Sequence, residues 1–302
     1  GAATGQEASV IGSGFALSPD DWVVPALREG GIALLRGLSL ADYINQVVGN
    51  GADVQKGRQM PCHYGHSDVN YVTLSSCIAN QLPHAVGIAL AMRLQGQSHI
   101  AVGYMGDGAT SEGDFHTSME FAARLDSPTL FFCQNNQWAI STGVTAQTAA
   151  KSIACKAYGY GMPGYRVDGN DVLAVAEATA QATKKIRETG KPAFIEALTY
   201  RVDAHSTSDD PSRYRDEAIT EQWKKRDPIE RYQRTLISLG HLSQNDIGRI
   251  ESEFVEQVRD AVETAEAAPA PELHDLFTDV YADVPKHLRR QHAQLEQRSH
   301  RA

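Results

Sequence analysis

The sequence predicts an α/β fold: a parallel sheet flanked by helices, followed by a helical C-terminal extension. Three observations predict it. Short, predominantly apolar runs recur at Ile100–Met105, Thr129–Cys133 and Ala193–Leu198, and strands without polar alternation belong to parallel sheets covered on both faces. Segments with helical apolar spacing separate these runs. The chain has 302 residues, 42% hydrophobic and 22% charged, which suits one large globular domain or two small ones.

The elements follow in order. Near the start, Val23, Val24, Ala26 and Leu27 have helix-like spacing mixed with loop signals. Gly49–Gly51 and Gly57–Pro61 read as loops. From Ile78 to Leu94 the chain is apolar on most faces, which predicts a buried helix. A strand over 100–105 leads into a polar, Gly-rich turn at 106–113. Phe115, Met119, Ala122 and Ala123 then mark a helix before the strand at 129–133. Arg166–Asp168 leads into a helix over Val172–Arg187, and the strand 193–198 follows. Strand–helix–strand connections of this kind are right-handed. Ser243-Gln-Asn-Asp246 reads as a capping box that opens a charged amphipathic helix to about Ala267. Ala268-Pro-Ala-Pro271 breaks it. A basic tail with Lys286, Arg289, Arg290, Arg298 and Arg301 is read as a solvated helix, a partner-binding surface being the alternative.

Charge and composition narrow the function. There are 28 Lys and Arg against 37 Asp and Glu, a net charge of −9, so a nucleic-acid partner is not expected. No run of 18 apolar residues occurs, so no membrane span is expected, and the first twenty residues lack a signal-peptide pattern. Cys62, Cys77, Cys133 and Cys155 form no CxxC pair; buried free thiols in a reducing compartment are the expectation. The chain begins with Gly1 rather than Met, and the expectation is that a longer N-terminal segment has been removed.

The chemical signal is Gly106-Asp107-Gly108, directly after a strand. Glycines permit a tight turn at the carboxyl end of a parallel strand, where such sheets bind ligands. The aspartate is a hard oxygen ligand suited to Mg²⁺. Asn135-Asn136 directly follows the next strand, with 26 residues between Gly108 and Asn135. That length holds one turn, one helix and one return strand. Both motifs therefore emerge at the same sheet edge, where Asp and Asn can share a Mg²⁺ and hold a diphosphate.

This pattern resembles the thiamine-diphosphate motif. Gly108–His116, Asn135–Thr142, His205–Asp210, Gly57–Gly65 and Arg166–Asp171 are similar to segments of the α subunit of branched-chain 2-oxo acid dehydrogenases. The resemblance extends from Gly5-Gln6-Glu7-Ala8 to Leu288-Arg-Arg-Gln291. It implies the thiamine-diphosphate-binding fold, with residues 1–215 as an N-terminally truncated α/β domain for the cofactor and Mg²⁺, and 216–302 as a helical region packed on it.

The resemblance also implies roles. Asp107, Asn136 and the Trp138 carbonyl would bind Mg²⁺. Gly108, Ala109 and Arg28 would contact the diphosphate, the arginine through its paired donors. Ser76 and Ile78 match positions beside the thiazolium ring. Ser75, the Cys77 carbonyl, Asn80 and Gln81 match a monovalent-cation site that takes K⁺ in some members. His205 would be the catalytic proton donor and a phosphate neighbour, since its pKa lies near working pH. Ser206 matches a serine phosphorylated in animal relatives. His63, His116, Glu112 and Asp114 are read as structural, the last two as first-turn residues favoured by the helix dipole.

The implied reaction is oxidative decarboxylation of a branched-chain 2-oxo acid, with acyl transfer to the lipoyl group of a partner acyltransferase. A separate β subunit would complete the site in an assembly of two α and two β chains, in a bacterial cytoplasm or, for a eukaryote, the mitochondrial matrix. Three positions depart from the family: Leu27 where Tyr is frequent, Gln134 where Arg is frequent, and Ala204 where His or Pro is common. A pyruvate or acetoin enzyme of the same family is the alternative; Ser111-Glu-Gly113 and Ser206-Thr-Ser-Asp209 favour the branched-chain reading. A non-catalytic partner-binding paralogue is a further alternative. A nicotinamide-binding domain is disfavoured, because no GxGxxG word opens a βαβ unit.

Overall fold

A computed structural model describes residues 1–299. Its sheet is built from β1 (Trp22–Val24), β2 (Ala101–Gly106), β3 (Thr129–Asn135), β6 (Gly164–Asp168) and β7 (Ala193–Leu198), with β4 (Trp138–Ala139) and β5 (Thr142–Gly143) forming a separate antiparallel ribbon. All pairings in the large sheet are parallel, in the order β1-β2-β3-β7-β6. Every residue of the central strand β3 is buried, which is why its sequence shows no alternation.

Helices cover both faces. On one face Met105, Phe131, Cys133 and Phe194 share a core with Leu82 and Val86 of helix Gln81–Leu94 and with Phe115 and Met119 of helix Gly113–Arg124. Each such side chain contributes about 1.5–3 kcal/mol through burial. A Cβ at Gly103 would stand 3.1 Å from the Ala85 Cβ, so glycine lets that helix lie close to β2. On the other face the Tyr104 hydroxyl donates to Ser13 Oγ at 3.0 Å, on helix Glu7–Phe15. That helix packs on Val172–Thr189.

The chain divides into two compact units. One comprises Gly1–Leu38 and Gly65–Gly248; the other comprises Ser39–Tyr64 and the residues from Arg249 on. The division expected at 215/216 thus falls within the first unit, which retains helices Glu217–Lys224 and Pro228–Ser238. Within the second unit, Asn50 Nδ2 donates to the Ala265 carbonyl at 2.9 Å, and Lys56 pairs with Asp275 and Asp279 at 3.1 and 2.6 Å.

Several expectations are corrected. Val23 and Val24 lie in strand β1, not in a helix; the strand is only three residues long, too short for alternation to register. Helix Glu7–Phe15 has no clear apolar periodicity in the sequence because Gly12 and Gly14 interrupt its pattern. The helix expected from Ile78 begins at Gln81, and it is not buried all round: Pro83, His84, Gly87 and Ala91 are exposed and Leu94 is 75% exposed. Only Cys133 is a buried thiol; Cys77 and Cys155 are exposed and Cys62 is half-buried. The Ser243 box is present, with Asp246 N donating to Ser243 Oγ at 3.2 Å and Ser243 N to Asp246 Oδ2 at 2.9 Å. It caps helix Gln244–Ala267. In the basic helix Lys286–Ser299, residues Lys286, Arg289, Arg290 and Arg298 are exposed; Arg301 lies outside the described residues.

Candidate active site

β2 and β3 run in parallel with Gly106 opposite Gln134. The chain leaves both strands at the same edge, which puts Asp107 and Asn136 side by side beyond the carboxyl ends. Asp107 opens a short 3-10 turn to Ser111, closed by Thr110 Oγ1 donating to the Asp107 carbonyl at 2.8 Å.

Asp107 is 1% exposed. Its Oδ2 accepts from Gln147 Nε2 at 3.0 Å, whereas its Oδ1 is buried with no partner. Burial pushes its pKa from 3.8 up to about 6, against the hydrogen bonds and the Arg201 charge. Asn136 is held from the far side: its Nδ2 donates to Gln6 Oε1 at 2.9 Å, and its Oδ1 accepts from Trp138 N at 3.2 Å. Gln137 (φ 73°) and Ile140 (φ 54°) occupy the left-handed region, a costly conformation for a β-branched residue such as isoleucine. Arg201, 1% exposed, secures this loop by donating from Nη2 to the Ile140 carbonyl at 2.7 Å, with Nη1 3.5 Å from the Trp138 carbonyl.

Across the cavity, Glu29 Oε2 accepts the N–H groups of Ala26, Leu27 and Arg28 at 2.8, 2.9 and 3.1 Å, fixing the turn that carries Arg28. Arg28 Nη2 donates to the His205 carbonyl at 3.2 Å and approaches its Nδ1 at 3.3 Å; Nη1 bonds the Ala2 carbonyl. His205 N donates to Asp209 Oδ2 at 2.7 Å, the same oxygen to which Tyr214 OH donates at 2.6 Å. Arg201 Nη2 donates to that Tyr214 oxygen at 2.7 Å. Burial first, then the Arg28 and Arg201 charges, hold the His205 pKa below its usual 6.5.

A cavity of about 290 Å³ gathers Arg28, Ile78, Asp107, Gly108, Ala109, Asn136, Trp138 and His205. Ser76 is the exception: Ser75 and Cys77 line the cavity and Ser76 does not. Gly108 is required by space, since a Cβ there would meet the Ala139 Cβ at 2.6 Å. The departures Leu27 and Gln134 also line the cavity, and Gln134 Nε2 is buried without a partner. Beside it, Asn80 Nδ2 donates to Ser75 Oγ at 3.0 Å, Asn80 N lies 3.4 Å from the Cys77 carbonyl, and Asn80 Oδ1 is buried and unpaired. Gln81 also lines the cavity, with its Nε2 donating to the Tyr104 carbonyl at 2.8 Å.

The remaining candidates have structural places. Glu112 is the N-cap residue of helix Gly113–Arg124, lines the cavity, and is followed in the first turn by Asp114. His116 Nδ1 meets Tyr160 OH at 2.5 Å. His63, in the second unit, has its Nδ1 2.9 Å from the Pro61 carbonyl. Ser206 is exposed, with its Oγ 3.3 Å from Ser208 Oγ.

Gln6, Glu29, Gln147 and Arg201 were not singled out from the sequence. Arg201 had a usable signal, its position just past the apolar strand β7, where such sheets place ligands. Gln147 had none, being 40 positions from Asp107.

Among the described residues no three His, Cys, Asp or Glu side chains converge as a metal cluster. One carboxylate with amide and carbonyl oxygens instead suits a hard cation that keeps phosphate oxygens as further ligands. The unpaired Asp107 Oδ1, the cavity wall at Gly108 and the Arg28–His205 wall fit a metal-chelated phosphate ester.

Fold and site together define an α/β protein with a candidate ligand cavity beyond the carboxyl ends of adjacent parallel strands. The dehydrogenase E1 component family model matches residues 1–274, and the chain belongs to this family. It is 43% identical over 294 residues to 2-oxoisovalerate dehydrogenase subunit alpha 1, mitochondrial, of Arabidopsis thaliana, covering 97% of this chain and 62% of that one. The corresponding Caenorhabditis elegans subunit is 42% identical, with 97% and 68% covered, and the Homo sapiens one 41%, with 96% and 66%. The chain thus spans a little under two thirds of the length of the Arabidopsis relatives.

Proposed function

We propose that this chain is the α subunit of a thiamine-diphosphate-dependent 2-oxo acid dehydrogenase acting on branched-chain 2-oxo acids. The observation that carries the reading is Asp107, a buried carboxylate with one unpaired oxygen at the mouth of a strand-end cavity. Members of the family depend on thiamine diphosphate. The 2-oxoisovalerate names of the relatives support the branched-chain substrate.

Asp107, Asn136 and the Trp138 carbonyl hold Mg²⁺. Gly108, Ala109, Arg28 and His205 receive the diphosphate, and Gln134 offers a neutral donor to it. Exposed Ile78 supplies an apolar wall for the thiazolium ring; Ser76 only carries the loop on which Ile78 sits. Ser75, the Cys77 carbonyl, Asn80 and Gln81 form the K⁺ set. When bound, the cofactor would supply a nucleophilic carbon and an electron sink for decarboxylation.

The chain's own groups orient and hydrogen-bond the substrate. The Arg28 guanidinium never gives up its proton, so His205 Nδ1 is the acceptor and the neutral ring carries its proton on Nε2. That N–H is the donor available to substrate. A β subunit completes the site in an assembly of two α and two β chains, and a lipoyl-bearing acyltransferase takes the acyl group. For a eukaryotic source the mitochondrial names of the relatives support the matrix; for a bacterial one we place the complex in the cytoplasm.

The test is co-expression with a β subunit. With thiamine diphosphate and Mg²⁺, the complex should reduce an artificial electron acceptor faster with 3-methyl-2-oxobutanoate than with pyruvate. Preference for pyruvate would move the substrate to the alternative within the family. Failure of the complex to bind cofactor in calorimetry would instead leave a partner-binding paralogue.

A further inference from the structure

Two turns carry the metal-binding atoms assigned above, and one carboxylate outside the cavity is bonded toward both. Glu196 lies on β7, opposite Cys133, and is 0% exposed. A carboxylate in a sheet interior costs several kcal/mol unless its oxygens are well bonded.

Both oxygens are used. Oε1 accepts from Asn135 Nδ2 at 2.7 Å, and Asn135 Oδ1 accepts from Gln137 N at 3.2 Å. These bonds shape the left-handed Gln137 turn between Asn136 and Trp138. Oε2 accepts from Ala154 N at 2.9 Å, the first residue of the 3-10 segment Ala154–Tyr160. From that segment Lys156 Nζ donates to the carbonyl and Oγ1 of Thr110, both at 2.9 Å. Thr110 Oγ1 in turn donates to the Asp107 carbonyl at 2.8 Å. Arg166 Nε, 3.7 Å from Oε1, partly balances the charge.

We propose that Glu196 is a positioning residue for both side-chain metal ligands, holding the Asn136 turn through Asn135 and the Asp107 turn through the Ala154–Tyr160 segment and Lys156. The inference rests on the functional reading above. Bonds to an ionised acceptor are about twice as strong as neutral ones, so one anchor fixes the separation of two turns from different strands. Neither Glu196 nor Lys156 lines the cavity, so both act through the groups they hold.

The αβ complex is prepared as wild type, Glu196→Gln, Lys156→Met and Lys156→Arg. Glutamine keeps one acceptor and turns a donor toward the other branch. Methionine removes only the Asp107 branch. Mn²⁺ binding with thiamine diphosphate is followed by electron paramagnetic resonance, and Mg²⁺ dependence by steady-state rate. In Glu196→Gln and Lys156→Met metal affinity should fall about tenfold or more, with the rate at saturating metal within about twofold of wild type; Lys156→Arg should recover most of the loss. If Glu196→Gln does not fold, Lys156→Met decides. Wild-type metal affinity in the variants, or a collapsed saturating rate with affinity unchanged, would overturn the inference alone. A wild-type complex that binds neither Mn²⁺ nor thiamine diphosphate would remove the functional reading, and this inference with it.

Discussion

Arg28 Nη2 lies 3.3 Å from His205 Nδ1, and the same nitrogen donates to the His205 carbonyl at 3.2 Å. A permanent cation therefore faces the ring of the one histidine that lines the cavity among the described residues. The pair fixes the imidazole tautomer, orients the ring through its backbone, and opposes its protonation. Burial acts in the same direction and is the larger cause; Arg201 adds to it.

Replacing Arg28 with methionine should raise the His205 pKa toward 6.5, because one of the charges that disfavour imidazolium is gone. Nuclear magnetic resonance of the imidazole would follow the midpoint. An unchanged or lower midpoint would show that the guanidinium does not act on the ring. In the wild type the ring is neutral above its lowered pKa, so activity that depends on the neutral ring, whose Nδ1 accepts from Arg28, should hold further into the acid range than an ordinary histidine allows.

Asp107 makes an opposite pH prediction. Its pKa is 3.8 ordinarily and about 6 in the ligand-free fold, so the fold retains its proton longer than the unfolded chain. Ligand-free stability therefore falls as pH rises from about 4 to about 6 and stays lowered above that. At pH 7 the cost is on the order of 2–3 kcal/mol. Asp107→Asn should then raise ligand-free stability at pH 7 and abolish the stabilisation that Mg²⁺ with thiamine diphosphate gives the wild type. Denaturant melts with and without ligand separate the two effects. A ligand-free variant less stable than wild type would refute the sign.

The sheet and the two metal-side turns were legible because strong local signals mark them. Thr129–Cys133 is a short apolar run, the pattern of a doubly covered strand, and Gly-Asp-Gly and Asn-Asn sit where β2 and β3 end. What holds those turns was not legible. Gln6, Gln147 and Arg201 reach the site from 130, 40 and 61 to 63 positions away, and a lone Gln or Arg has no periodicity to betray its partner. The exposed half of helix Gln81–Leu94 was misread for a related reason. Alanine, glycine and leucine on that face look like core in composition, although nothing in the chain's first unit covers them.

The loop bearing His205 should depend on one hydroxyl. Tyr214 OH donates to Asp209 Oδ2 at 2.6 Å and accepts from Arg201 Nη2 at 2.7 Å. Asp209 in turn accepts the His205 N–H at 2.7 Å. Tyr214→Phe keeps the ring against Trp138, 5.4 Å away, and removes only these bonds. Amide exchange at His205 should speed up roughly fivefold, with a lower turnover number and little change in metal affinity. Exchange at the wild-type rate would show that the tyrosine does not hold the loop.

Gly108 offers the sharpest steric test. A Cβ at this position would stand 2.6 Å from the Ala139 Cβ and 3.5 Å from its Cα. Ala139 follows Trp138 in β4 of the β4–β5 ribbon, so the added methyl must push apart the turns that carry Asp107 and the Trp138 carbonyl. Overpacking of this kind costs about 1–3 kcal/mol. The strain is local to the ligand site, whose parts are otherwise held by Gln147, Thr110 and Arg201. Gly108→Ala should therefore fold, melt at a modestly lower temperature, and lose at least tenfold in affinity for thiamine diphosphate with Mg²⁺. Calorimetry of the αβ complex measures it. Ala139→Gly in the same chain removes the colliding methyl and should restore most of the lost affinity. If the double variant binds no better than Gly108→Ala alone, the close approach of these two residues does not set the geometry of the site.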